Sequence, residues 1–165
     1  MKTIYFVRHA KSSWDDPMLE DHDRPLNARG KRDAPVMANR LADLEVIADG
    51  LVSSTAKRAK ETSEAFRRAL NIPAANCQYD RSLYHAWPAG IEKRVQDMPD
   101  NWSTVLFFGH NPGYTDLANR LQHNAYIGNV PTCGIIMVQA DIDKWEEFSF
   151  AQARRAGYFY PKQKV

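Results

Sequence analysis

Apolar positions along the chain fall into short continuous runs separated by stretches with helical spacing. Residues 4–7, IYFV, are apolar and partly β-branched, the pattern of a strand covered on both faces. Residues 27–46, NARGKRDAPVMANRLADLEV, set Ala34, Met37, Ala38, Leu41 and Leu44 on one helical face, with Asn27 as a cap. Pro35 inside that stretch removes a backbone hydrogen bond and predicts a kink or a fresh start. GLVSS (50–54) reads as a short strand. Residues 55–71 then read as a helix that Ser54 or Thr55 could cap, with Ala59, Thr62, Phe66, Ala69 and Leu70 on its inner side. Residues 77–90 predict a strand fragment and a loop, and residues 91–98 a modest helix broken by Pro99. TVLFFGH (104–110) is a second buried strand, NPG a turn, and residues 114–122 a helix with Leu117 and Leu121 four apart. Two further strands, 134–140 and 146–152, are expected to close the sheet. The second alternates, with Phe148 and Phe150 facing one way as on an edge strand.

Strands alternating with helices predict an α/β sandwich, a mostly parallel central sheet flanked by helices in three layers. The 165 residues suit one domain, 1–165, long enough to bury a real core. With 44% hydrophobic and 25% charged residues, the composition is that of a globular protein. Its 22 basic residues are matched by 20 acidic ones, and no basic stripe interleaved with aromatics argues for nucleic acid. The longest apolar runs fall far below the roughly 18 to 20 residues of a membrane span. Cys77 and Cys133 show neither CxxC spacing nor the density of a disulfide framework; each reads as a small buried residue in a reduced, cytoplasmic protein. Oligomeric state leaves no trace in the sequence, and a monomer is the working expectation.

Ligands of open α/β sheets sit beyond the carboxyl ends of parallel strands. Here the first strand ends at Arg8-His9, the second leads through Thr55 into Lys57 and Arg58, and 104–110 ends at His110. Two imidazoles and at least two guanidiniums at one sheet edge suit a dianionic phosphoryl group. Guanidinium forks bind its oxygens in pairs, and an imidazole nitrogen can attack phosphorus. The helix starts after Ser53-Ser54 and after His110-Asn111-Pro112 add backbone donors, which makes Asn111 a candidate substrate-binding position. No HxxxH, HExxH or Cys/His spacing suggests a metal site, so no metal or other cofactor is expected, the arginines taking a divalent cation's role.

VRHA (7–10), DRPLNARG (23–30), SSTAKRAKET (53–62) and FFGHNPG (107–113), in that order, resemble the signatures of the histidine phosphatase superfamily, the phosphoglycerate mutase-like group. More narrowly they resemble its small phosphohistidine phosphatase branch. The resemblance implies that fold, with His9 as the nucleophile that becomes phosphorylated. It makes Arg8 and Arg58 phosphate-binding arginines, His110 the second histidine, and Arg24 an arginine beside the pocket. Larger members protonate the leaving group with a carboxylate. The matching stretch here, RSLYHAWPAG, holds no acid after Asp80, leaving Asp21, Asp23, Asp80 and His85 as alternatives.

A missing acid, and the few residues left for a lid, favour protein phosphohistidine as substrate through a shallow, open pocket. A small phosphate ester, hydrolysed or isomerised, is the second reading. A non-catalytic phosphoprotein-binding adaptor is the third. Structural roles remain the expectation for His22, His85 and His123. Arg24 could simply pair with Asp21 or Asp23. Trp14, Tyr84 and Trp87 either line the pocket or cover loops. Arg154-Arg155 and the PKQK run (161–164) read as solvated surface.

Overall fold

Six strands and four helices, taken from a computed structural model that describes residues 1–163, build one mixed, mostly parallel sheet with a helix pair on each face. The strands are β1 (Lys2–Arg8), β2 (Gly50–Ser53), β3 (Cys77–Tyr79), β4 (Thr104–Gly109), β5 (Ile135–Ala140) and β6 (Arg154–Phe159), in the order β3-β2-β4-β1-β5-β6. The pairs among β1 to β4 are parallel, while β5 and β6 join antiparallel. The helices are α1 (Ala28–Asp43), α2 (Lys57–Ala69), α3 (Pro88–Gln96) and α4 (Gly113–Arg120).

Successive side chains of β1 point to opposite faces, and both faces are apolar. Ile4 and Phe6 join Val105, Phe107, Ile136 and the buried residues of α3 and α4. Tyr5 and Val7 join Leu106, Phe108 and the inner faces of α1 and α2. This two-sided burial is why the central strands read as unbroken apolar runs.

Asn27 caps α1, its side chain accepting from the Gly30 N–H at 2.9 Å. The helix runs through Pro35 without interruption. Pro35 lies on the exposed face, where water can serve the Lys31 carbonyl that loses its donor. Leu44 is exposed rather than core-facing, because α1 stops at Asp43 and the chain turns at Glu45 (φ 59°). Ala56, not Ser54 or Thr55, is the N-cap of α2, the Ser54 hydroxyl being drawn to His110 instead. Cys133 is buried and Cys77 half-buried, both as free thiols.

The expected strand at 146–152 is absent. Its place is taken by two 3-10 turns, Trp145–Glu147 and Phe150–Gln152, that drop Trp145, Phe148 and Phe150 into the core beneath α3 and α4. Aromatics two apart mimic strand alternation, but tight turns bury them equally well. The last strand is β6, so Arg154 and Arg155 are sheet residues. Arg154 bonds Gln139 on the neighbouring strand, and Arg155 reaches the Ala118 and Ala125 carbonyls. Lys164, in the PKQK run, lies outside the described residues.

Candidate active site

Register brings the two histidines together. Arg8 on β1 pairs with Gly109 on β4, so His9 and His110 leave the sheet side by side, with ring centroids 5.2 Å apart. On the other side of β4, Ser53 pairs with Phe108, which sets Ser54 beside Gly109 and its hydroxyl 2.8 Å from Nε2 of His110. The helix α2 begins three residues later and carries Arg58 in its first turn, buried at 4% exposure.

His9 is buried at 7% exposure, with Nδ1 2.7 Å from the Ala10 carbonyl. A carbonyl only accepts, so Nδ1 carries the proton and Nε2 keeps its lone pair. Burial is the largest influence on this ring. With Arg58, Arg8 and Arg24 it outweighs the Ala10 carbonyl and pulls the pKa down to about 3. His9 is therefore a neutral imidazole with a nucleophilic nitrogen. His110 is pushed down to about 2, by burial first and then by His9 and Arg58. Ser54 Oγ already accepts the Ala56 N–H at 3.2 Å, so its own proton is free for Nε2 of His110. That leaves the proton of His110 on Nδ1, which has no partner among the described residues.

The arginines are held by one edge each. Arg8 donates to the Val130 carbonyl at 2.9 Å. Arg58 donates to the Asp21 carbonyl at 2.6 Å and to Asp21 Oδ2 at 2.9 Å. Nε of both is buried and unpartnered among the described residues. The two guanidiniums feel each other, since Arg8 is lowered by burial and by the charge of Arg58. Such crowding of cations fits an anion. Arg24 is buried, bonded to Ser12 and Ser13, paired with Asp21 at 3.1 Å, and covered by Trp14 with 3.5 Å from its guanidinium to the indole centre.

Asp21 joins these parts. It accepts from Arg58, Arg24 and the Tyr84 hydroxyl, and despite some burial these bonds hold its carboxyl well below the usual carboxylate range. Tyr84 stands 5.5 Å from His110, 4.8 Å from His22 and 3.9 Å from His85, ring to ring. Thus Tyr84 borders the His110 ring, Trp14 covers Arg24, and Trp87 is exposed. His22 bonds Thr55 at 2.8 Å, next to the start of α2. His123 lies on the surface. Both amide functions of Asn111 are taken inside the protein. Its nitrogen donates to Asn129 and Val130, and its oxygen accepts from Thr115.

Sequence reasoning placed Arg8, His9, Arg58 and His110 at one edge, and the structure gathers them there; Arg24, which only the resemblance set beside the pocket, is tied to Arg58 through Asp21. It missed Ser54 as the partner of His110 and Asp21 as the bridge between two arginines, contacts that carry no periodic signal. Among the described residues no group of three or more His, Cys, Asp or Glu is arranged to hold a metal ion, and no helix is long and apolar enough to cross a membrane.

Neutral imidazoles and crowded guanidiniums at the carboxyl end of a parallel sheet define an α/β protein with a site suited to an anion. A profile of the histidine phosphatase superfamily (branch 1) matches residues 4–83. An uncharacterised chloroplastic protein of Arabidopsis thaliana is 31% identical over 165 residues, covering 95% of this chain and 74% of that one. An uncharacterised protein of Mycobacterium tuberculosis is 37% identical over 113 residues, 68% of this chain and 67% of the other. The chain belongs to the histidine phosphatase superfamily. A crystal structure of SixA from Agrobacterium tumefaciens, provisionally assigned as a phosphohistidine phosphatase, superposes with a TM-score of 0.82 at 26% identity, covering 97% of this chain and 98% of that one. The protein histidine phosphatase SixA complexed with tungstate gives 0.78 at 22% identity over 96% and 97%, a likeness of fold. The fold is phosphoglycerate mutase-like, and these findings support a phosphatase with phosphorylated substrates.

Proposed function

We propose that the protein is a metal-independent phosphatase that works through phospho-His9 and removes phosphate from protein phosphohistidine. The observation that carries this reading is His9 itself, held by the Ala10 carbonyl so that neutral Nε2 faces the field of Arg58, Arg8 and Arg24. Attack by Nε2 forms a nitrogen–phosphorus bond as the bond to the substrate imidazole breaks; that imidazole, already protonated on its other ring nitrogen, takes the bonding electron pair and leaves neutral. Water then attacks phosphorus, the Nε2 bond breaks, and inorganic phosphate departs. The free Nε edges of Arg8 and Arg58 and the Nδ1–H of His110 are the donors for the equatorial oxygens, which phosphoryl transfer needs neutralised. The likeness to SixA supports phosphohistidine as the substrate class.

Incubation with a phosphohistidine-bearing protein labelled in its phosphate is expected to leave an acid-labile, alkali-stable label on the chain, located at His9 by mass spectrometry. His9→Ala is expected to take up none. Normal labelling of that variant defeats the mechanism, and tight phosphoprotein binding without turnover by the wild type marks an adaptor instead.

A further inference from the structure

We infer that His85 protonates the departing group when the phosphate is carried on oxygen, which widens the substrates of this site to alkyl phosphate esters. The inference rests on the phospho-His9 reading above.

The carboxylates near the hollow are disqualified one by one. Asp80 is spent between the Ser82 N–H at 2.8 Å and Arg94 at 2.6 Å. The Asp23 side chain is 62% exposed and lies beside His22. Asp21 is locked in its ionised form by Tyr84, Arg58 and Arg24 and so has no proton to give.

His85 remains, and its placement is specific. Its ring stacks on Tyr84 at 3.9 Å and lies 6.4 Å from the ring of His110. Tyr84 in turn donates its hydroxyl to Asp21, so the ring against His85 is held by the same carboxylate that orients Arg58. The ring is exposed at the mouth of the site and is hydrogen-bonded to no described residue.

The backbone fixes where this ring stands. Among the described residues, four other than glycine have positive φ. Glu45 and Asn71 sit just past α1 and α2, where bonds from Val46 to Leu41 and from Ile72 to Arg67 close the helix and account for the conformation. Cys133 (φ 60°) donates its N–H to the Arg8 and His9 carbonyls. His85 (φ 59°) likewise follows a helix end, the 3-10 turn Arg81–Leu83 capped by Tyr84, where the Ala86 N–H bonds the Leu83 carbonyl at 3.4 Å, and this turn fixes the direction in which its ring leaves the chain. The next residue is packed closely, because Gly113 opens α4 so near the Ala86 carbonyl that a Cβ there would come within 2.3 Å of it. The loop carrying His85 is thereby pressed onto the turn that follows His110.

In the step, Nε2 of His9 attacks phosphorus, the phosphorus–oxygen bond breaks, and the leaving oxygen takes the proton of protonated His85. Neutral His85 then takes a proton from the water that attacks phospho-His9. Both imidazoles return to their starting states.

The test compares p-nitrophenyl phosphate, aryl phosphates with poorer leaving groups and phosphoserine as an alkyl ester, in the wild type, His85→Gln and His85→Gly. Glycine accepts the left-handed backbone at no cost, so this variant separates the ring from the conformation. General acid help is commonly worth roughly 10² to 10⁴-fold, and a loss of that order is expected for phosphoserine, shrinking steadily as the leaving group becomes more acidic. Added imidazole is expected to restore phosphoserine turnover in His85→Gly. Equal losses on all leaving groups, or no loss, overturn the inference, as does a wild type that turns over no alkyl ester. Absence of a phospho-His9 intermediate in the wild type, read separately by trapping, sinks the parent reading instead.

Discussion

His9 and His110 are imidazoles that the fold keeps uncharged, and this has a consequence in acid. An unfolded histidine titrates near 6.5, whereas His9 is held down to about 3 and His110 to about 2, in each case chiefly by burial. With folded values below unfolded ones, the unfolded chain takes up protons first. The stability these rings contribute is complete above about 6.5 and drains away as the pH falls towards 3. Between pH 7 and 5 most carboxylates have yet to titrate, so the denaturant midpoint is expected to drop over that interval. His9→Gln is expected to flatten the drop, and an unchanged wild-type midpoint would contradict the burial assigned to both rings. Residue-level roles were unevenly legible. Histidines closing apolar strands declared themselves, because an imidazole is out of place at the end of a buried run. Asp21 did not: its partner Arg58 lies 37 residues away, and nothing in an acid-rich loop singles out one carboxylate.

Among the elements, α1 supports the site from behind. Its first turn packs on the segment just after His9, Asn27 donating its N–H to the Lys11 carbonyl. A Cβ on Gly30 would stand 2.2 Å from that same carbonyl, backbone against backbone, so one of the two must move. Gly30→Ala is expected to destabilise the protein by roughly 1–3 kcal/mol as an overpacking change. It should also lower turnover, by dragging Lys11 and with it Ala10, whose carbonyl sets the His9 tautomer. Thermal unfolding and steady-state kinetics on one preparation check both. Helices with a clear apolar stripe and a cap, α1 above all, were readable in sequence. The 145–152 segment was not, because aromatics spaced two apart serve a strand and a pair of tight turns alike. The edge strand β6 hid for the complementary reason, as its half-buried residues show no clean alternation.

At the scale of the whole molecule, one register decides the outcome. Level pairing of β1 with β4, and of β4 with β2, lands Arg8, His9, Ser54 and His110 at one height on the sheet edge. The α/β class was visible in the alternation of patterns, but strand order and the antiparallel turn of β5 were not, since side-chain periodicity does not specify neighbours. Packing cations together this way costs stability that a bound oxyanion recovers. Vanadate at about a hundred times its Kd is expected to stabilise the fold by roughly 2.7 kcal/mol, seen as a rise in Tm. Arg58→Ala is expected to lose most of that rise, and an equal rise in both proteins would place the oxyanion elsewhere.

Trp14 lies open to solvent with its indole flat against the guanidinium of Arg24, while Trp102 and Trp145 are sealed in the core. Light emitted by Trp14 is therefore coupled to whatever Arg24 is doing. An oxyanion that engages Arg24 is expected to change the emission of Trp14, over a steady background from the exposed Trp87.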